Sequence, residues 1–61
     1  MTLKRYRVYV YNKVYWYLDC YEVNATDPVD ARNIAVQRLI DETGNGLDEW
    51  EIAEVKHIKE D

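Results

Sequence analysis

One segment of this chain carries both helix-start and helix-stop signals, and it limits the possible fold more than any other feature. Asp27 can accept a backbone hydrogen bond as the N-cap, Pro28 suits the first helical position, and Asp30 adds negative charge to the first turn. Gly44 supplies the left-handed residue that commonly ends a helix. These signals predict one helix, Pro28–Thr43.

Two stretches precede this helix, residues 3–11 and residues 14–25, and both are rich in Val and Tyr. Such stretches predict β-strands. Asn12 and Lys13 lie between them and predict a two-residue hairpin turn, because Asn tolerates the left-handed backbone conformation. With this turn, paired residues of the two strands have numbers that add up to 25.

After the helix, residues 47–59 predict a third strand. In a regular strand, Trp50 and Ile52 would point to one face and Val55 would point to the other. Either the strand bulges near residues 53–54 or its second half is only lightly covered. The element order is therefore β-β-α-β, in a chain of 61 residues that forms a single small α+β domain.

One helix can cover only one face of a three-stranded sheet. We expect strand order 2-1-3, with the first strand in the middle. The side facing the helix is predicted to hold Tyr6, Val8, Val10, Tyr17, Tyr21, Val23 and Ala25. The opposite, uncovered face is predicted to hold Arg5, Arg7, Tyr9, Tyr11, Val14, Trp16, Leu18 and Cys20.

The uncovered face coincides with an unusual concentration of aromatic residues and positive charge. Seven of the eight aromatic residues lie in residues 6–21, and residues 1–18 carry a charge of +4 against −8 for the remainder. Tyr, Trp and Arg are enriched where proteins bind one another. We therefore predict a protein-binding surface, and its expected contact residues are Arg5, Arg7, Tyr9, Tyr11, Trp16 and Leu18.

Two alternatives compete for the same face. Aromatic side chains on a sheet can stack the bases of single-stranded RNA while Arg5 and Arg7 contact phosphates. The net charge of −4 disfavours this alternative, because such binders need several phosphate contacts. The face can also be solvated, with its long side chains covering one another.

A second, acidic surface is predicted around the third strand. It comprises Asp48, Glu49, Glu51 and Glu54. Such a cluster can bind a basic partner, and in size and charge the chain resembles phage-encoded inhibitors of host machinery. Alternatively, the charges only protect a sheet edge from pairing with other sheets.

Self-association is expected as well. A chain this short buries little core, and its lone cysteine, Cys20, excludes an internal disulfide. We predict a homodimer in which a two-fold contact covers Tyr9, Tyr11 and Trp16 of each subunit.

The inventory of reactive side chains predicts a non-catalytic protein without a metal or cofactor. His57 and Cys20 are the only soft metal ligands, and no Ser/His/Asp or Cys/His set is evident. The N-terminal segment alternates polar and apolar residues instead of forming an apolar block, and no run is long enough to cross a membrane. With the lone cysteine, these features predict a cytoplasmic protein.

Overall fold

The computed structural model describes residues 2–59 and has the predicted β-β-α-β order. Its strands are β1 (Lys4–Asn12), β2 (Tyr17–Ala25) and β3 (Trp50–His57), and its helix is α1 (Pro28–Thr43). β1 lies in the middle and pairs antiparallel with both neighbours, which gives the order β2-β1-β3. The predicted α+β class, strand order and single packed helix are confirmed.

The helix begins and ends at the predicted residues because its signals are local. The Asp27 carboxylate accepts a hydrogen bond from the Asp30 backbone N–H at 2.8 Å, and Pro28 occupies the first turn. Gly44 has a φ of 78° and donates its N–H to the Ile40 carbonyl at 2.9 Å. Both ends of α1 therefore have partners for exposed backbone groups.

The predicted two-residue hairpin turn is wrong. Residues 13–16 form a four-residue loop, and paired residues of β1 and β2 have numbers that add up to 29, as for Tyr11 and Leu18. The Asn12 side chain accepts hydrogen bonds from two backbone N–H groups of the loop and so stabilises the longer connection. Asn12 itself belongs to β1, where it pairs with Tyr17.

The change of register leaves most of the face assignments intact, because 25 and 29 are both odd and an even shift keeps every side chain on its face. Val14 and Trp16 are the exceptions, since they lie in the loop and not on the predicted sheet face. Tyr17 lies on the helix side but is 47% exposed.

β3 contains the bulge that its sequence suggested. Tyr9 pairs with Glu54 and Val10 pairs with Ile52, so Ala53 is an extra residue between the two pairs. The extra residue turns the second half of the strand so that its apolar residues also face the helix. The strand is shorter than residues 47–59, because residues 47–49 form a turn.

The core lies between the sheet and one side of α1. Leu39 is completely buried, and Ala31 and Ala35 allow the helix to approach the strands closely. Helix coverage stops partway along β2: residues 17–20 are exposed on both faces. The buried apolar residues are Tyr6, Val8, Val10, Val23, Ala25, Ala31, Ala35, Leu39 and Trp50.

Candidate functional site

The sheet face opposite α1, here called the open face, is formed by alternate residues of all three strands. Directly paired residues of neighbouring strands share a face, so the registers define its members. β1 contributes Arg5, Arg7, Tyr9 and Tyr11, β2 contributes Leu18, Cys20, Glu22 and Asn24, and β3 contributes Glu51, Glu54 and Lys56.

At one end of this face the β1–β2 loop is organised by a single buried side chain. Asn12 is 1% exposed, and its Oδ1 accepts hydrogen bonds from the N–H groups of Val14 at 2.9 Å and Tyr15 at 2.7 Å. Its backbone carbonyl accepts a third from the Trp16 N–H at 3.0 Å. The loop is therefore held by one residue at its base.

A distant part of the chain holds the same loop in place. Asn12 Nδ2 donates to Glu49 Oε2 at 3.1 Å, and the Lys13 N–H donates to the Glu49 carbonyl at 2.8 Å. Lys13 Nζ donates to the Leu47 carbonyl at 3.1 Å. These hydrogen bonds join the loop to the turn before β3 and favour one preorganised loop conformation.

Trp16 occupies the most unusual backbone position in the loop. Its φ is 61°, in the left-handed region, and among residues 2–59 it is the one residue other than glycine with a positive φ. For an L-residue with a bulky side chain this conformation costs about 1–2 kcal/mol. The side chain is nevertheless 76% exposed and touches Tyr11 edge-on, with ring centroids 6.4 Å apart.

Five consecutive large apolar side chains are exposed around this position, and residues 14–18 are called the hairpin tip below. Their exposure concentrates apolar surface at the tip, of the kind that marks interaction sites, with Tyr17 on the helix side of the hairpin and Leu18 on the open face. Leu18 and the Trp16–Tyr11 contact connect it to the open face. The five residues are Val14, Tyr15, Trp16, Tyr17 and Leu18.

The predicted contact residues therefore form one continuous surface, although not the one expected. Arg5, Arg7, Tyr9, Tyr11 and Leu18 lie on the open face as predicted, whereas Trp16 reaches them from the loop. Asn12 and Glu49, which hold the tip in place, were not predicted as part of the site. An Asn at the end of a β-rich stretch was the available signal for Asn12, since its side chain favours such turns.

The charges on the open face largely balance one another. Arg7 Nη2 donates to Glu22 Oε2 at 3.0 Å, and Arg5 Nε lies 3.9 Å from Glu22 Oε1. Hydrogen bonds with Tyr9 and then with Glu22 raise the pKa of the Arg7 guanidinium above its usual value. The register also places Lys56, Glu51 and Glu54 on this face.

The four predicted acidic residues do not stay together. Glu51 and Glu54 lie on the open face beside Tyr11 and Tyr9. Glu49 is partly buried and holds the loop. Asp48 is exposed in the turn before β3. The acidic residues thus border the aromatic surface and do not form a separate one.

On the helix side, Tyr21 marks the boundary between the covered and uncovered parts of β2. The Arg38 guanidinium lies 4.9 Å from the centre of its ring. Burial, followed by the negative charges of Glu42 and Asp19, raises the pKa of the Tyr21 hydroxyl, while Arg38 opposes this effect. Asp19 Oδ1 also accepts a hydrogen bond from the Cys20 N–H at 2.8 Å.

Residues 2–59 contain no group of three or more His, Cys, Asp or Glu side chains arranged to hold a metal ion. His57 packs against the Tyr6 ring, with centroids 5.2 Å apart, and Cys20 is an exposed free thiol. The helix in this part of the chain lacks the length and apolar character needed to cross a bilayer.

Comparison with protein-family models, with curated proteins and with solved structures gives no match for this chain.

Proposed function

We propose that this protein is a non-catalytic, cytoplasmic protein-binding module that acts as a regulator or inhibitor of its partner. The observation that carries the proposal is Trp16, a large exposed aromatic residue held in a strained conformation by hydrogen bonds to the buried residue Asn12 and its neighbours. Strain of this kind persists only where the surroundings enforce it, and it concentrates at functional positions.

The composition of the tip supports a protein partner with an apolar pocket. Val14 and Leu18 are aliphatic and flank three aromatic residues, a mixture that suits an apolar pocket better than a stack of bases. Because Asn12 and Glu49 already fix the loop, binding requires little further ordering, and this lowers its entropic cost.

The charges of the open face favour protein over RNA. Arg5, Arg7 and Lys56 are offset by an equal number of glutamates on the same face, and Glu22 already pairs with Arg7. Affinity for nucleic acid comes mainly from net positive charge, which this face does not provide. Acidic residues near the tip fit a partner whose pocket has a basic rim.

The test is capture of partners from a lysate, with and without nuclease, using matched variants. We expect Trp16→Ala to reduce capture at least about tenfold, as removal of a hot-spot residue does. Val29→Ala removes an apolar side chain from the exposed side of the helix and should leave capture unchanged. Nuclease should also have no effect.

Two outcomes contradict the proposal. If nuclease abolishes capture and a double Arg5→Glu, Arg7→Glu variant has the largest effect, the RNA-binding alternative holds. If none of these changes matters, the hairpin tip and the arginines of the open face are not the functional surface. An inhibitor acting through the acidic residues Asp48, Glu51 and Glu54 then becomes the leading candidate.

Self-association is the second part of the proposal: the uncovered apolar surface and small core favour a homodimer. Sedimentation from about 1 μM to about 1 mM covers the range in which such a dimer should form. A strictly monomeric chain throughout that range rejects the homodimer but leaves the protein-binding function standing.

A further inference from the structure

The two outer edges of the sheet are built differently. Within residues 2–59, β2 and β3 each pair only with β1, so each presents a free edge. The β3 edge is interrupted by the bulge at Ala53 and carries Glu51, Glu54 and Lys56, all of which discourage pairing with another strand. β2 pairs with β1 over nine residues without a shift in register. Its outer edge is therefore regular, as pairing with a further strand requires.

The direction of the β2 backbone groups follows from the hydrogen bonds around β1. The Lys13 N–H donates to the Glu49 carbonyl and the Ile58 N–H donates to the Arg5 carbonyl, so odd-numbered residues of this strand bond towards β3. Even-numbered residues therefore bond towards β2, where their partners are odd-numbered. The β2 residues whose N–H and C=O groups point outwards are Leu18, Cys20, Glu22 and Asn24.

We propose that β2 pairs antiparallel with β2 of a second copy, around a two-fold axis at Tyr21, and joins two three-stranded sheets into one. This inference rests on the homodimer of the proposed function and assigns its interface to the strand edge instead of the open face. The open face and the hairpin tip then stay available to another protein.

The burial pattern of β2 makes it complementary to itself. Residues 17–20 are exposed on both faces, whereas Val23 and Ala25 are buried under the helix. Antiparallel pairing places the exposed half of each strand beside the helix-covered half of the other. Tyr17, for example, comes to lie beside Ala25 of the partner subunit.

Charge and hydrogen bonding select the register. Residues whose backbone N–H and C=O groups point outwards must lie opposite each other in the two strands. Because these residues are all even-numbered, the numbers of paired residues must add up to an even value. Axes at Asp19 or Glu22 place a carboxylate opposite its own symmetry mate, which is unfavourable. An axis at Cys20 uses only residues 17–23, whereas an axis at Tyr21 uses all nine residues of β2 and opposes no like charges.

In the monomer, the Asp19 side chain occupies a backbone group that the dimer requires, and this weakens the association. Its carboxylate accepts the outward-pointing N–H of Cys20 at 2.8 Å, the same group that an incoming strand requires. A side chain that satisfies a neighbouring backbone group competes with sheet pairing. The carboxylate must therefore move aside before the two strands join.

Sedimentation of matched variants tests the proposal. Cys20→Pro removes an outward N–H but none of the bonds to β1, so the monomer should fold, and its dimer dissociation constant should rise about tenfold for two lost symmetric hydrogen bonds. Cys20→Ser keeps the N–H and should behave as wild type. Asp19→Ala frees the N–H and should tighten the dimer about fivefold or more.

Other outcomes overturn the proposal. If Cys20→Pro, shown to be folded by near-ultraviolet circular dichroism, and Asp19→Ala both leave self-association unchanged, the interface lies elsewhere. If the wild-type protein is monomeric and Cys20→Pro abolishes partner capture, the edge pairs instead with a strand from another protein. Trp16→Ala should reduce capture but not self-association, so failure of the edge proposal and failure of the proposed function are distinguishable.

Discussion

The two tryptophans of this domain show how differently its aromatic residues are used. Trp50 is 3% exposed and packs edge-on against Tyr17, with ring centroids 5.5 Å apart. Trp16 is 76% exposed and has a positive φ. The first stabilises the fold by burying a large apolar surface, whereas the second contributes little burial and carries backbone strain. The comparison separates residues that maintain the fold from residues available to a partner.

The largest expected difference is in stability. Trp50→Ala should lower the free energy of unfolding by about 3–5 kcal/mol, because it leaves a cavity in a small core. A domain of this size has little margin, so the variant should be largely unfolded. Urea denaturation followed by circular dichroism measures the effect.

Trp16→Ala is the matched control for this experiment, since it removes the same side chain from an exposed site. We expect a change below about 0.5 kcal/mol, as is usual at surface positions. Equal losses of stability for the two variants would show that Trp16, like Trp50, is part of the folding core.

Substitution of Asn12, which holds the hairpin tip, should have the second-largest effect on stability. Asn12→Ala should lower the free energy of unfolding by about 2–3 kcal/mol, because Val14, Tyr15 and Glu49 lose hydrogen-bond partners around a buried position. Asn12→Asp keeps the acceptor for the two N–H groups but opposes the Glu49 carboxylate. It should therefore recover only part of the loss.

Amide hydrogen exchange of Val14 and Tyr15 supplies a local check on the same variant. Both amides should exchange much faster in Asn12→Ala than in wild type if the Asn12 side chain holds them. Unchanged protection of both amides contradicts the assigned role of Asn12, whatever the global stability does.

The contrast between the helix and the hairpin explains what the sequence could predict. The ends of α1 depend on Asp27, Pro28 and Gly44, which act on residues within one turn, so the sequence alone located them. The hairpin loop depends on local hydrogen bonds from Val14 and Tyr15 to the Asn12 side chain. It also depends on a contact between Asn12 and Glu49, which are 37 residues apart. No local sequence pattern indicates a contact between residues so far apart, so the two-residue turn was predicted without this contact.

The candidate site was likewise predictable only in part. The alternation of Arg5, Arg7, Tyr9 and Tyr11 along one strand was enough to place them on one face, because strand periodicity survives a change of register. The strained backbone of Trp16 could not be predicted, because Gly and Asn are the residues expected at such positions.

Relief of the backbone strain at Trp16 should change the free energy of unfolding by a smaller amount and should increase it. Trp16→Gly should raise the free energy of unfolding by about 0.5–1 kcal/mol relative to Trp16→Ala, because glycine adopts a positive φ without steric cost but has more freedom in the unfolded chain. Both variants should lose partner binding equally. A glycine variant less stable than the alanine variant contradicts the assignment of strain at this position.

The smallest expected effect lies at the boundary between the helix-covered and uncovered parts of β2, at Tyr21. Its pKa is raised in the folded state, first by burial and then by the charges of Glu42 and Asp19, so folding favours the protonated hydroxyl. The corresponding stabilisation is complete below the unfolded-state pKa of about 10 and is lost as the pH rises through the higher folded-state value. Tyr21→Phe should therefore lose less stability than wild type as the pH rises above about 10 in urea denaturation. Tyr15→Phe changes an exposed tyrosine of the tip and is the matched control. A steeper alkaline loss in Tyr21→Phe than in Tyr15→Phe reverses the expected sign and contradicts the environment assigned to Tyr21.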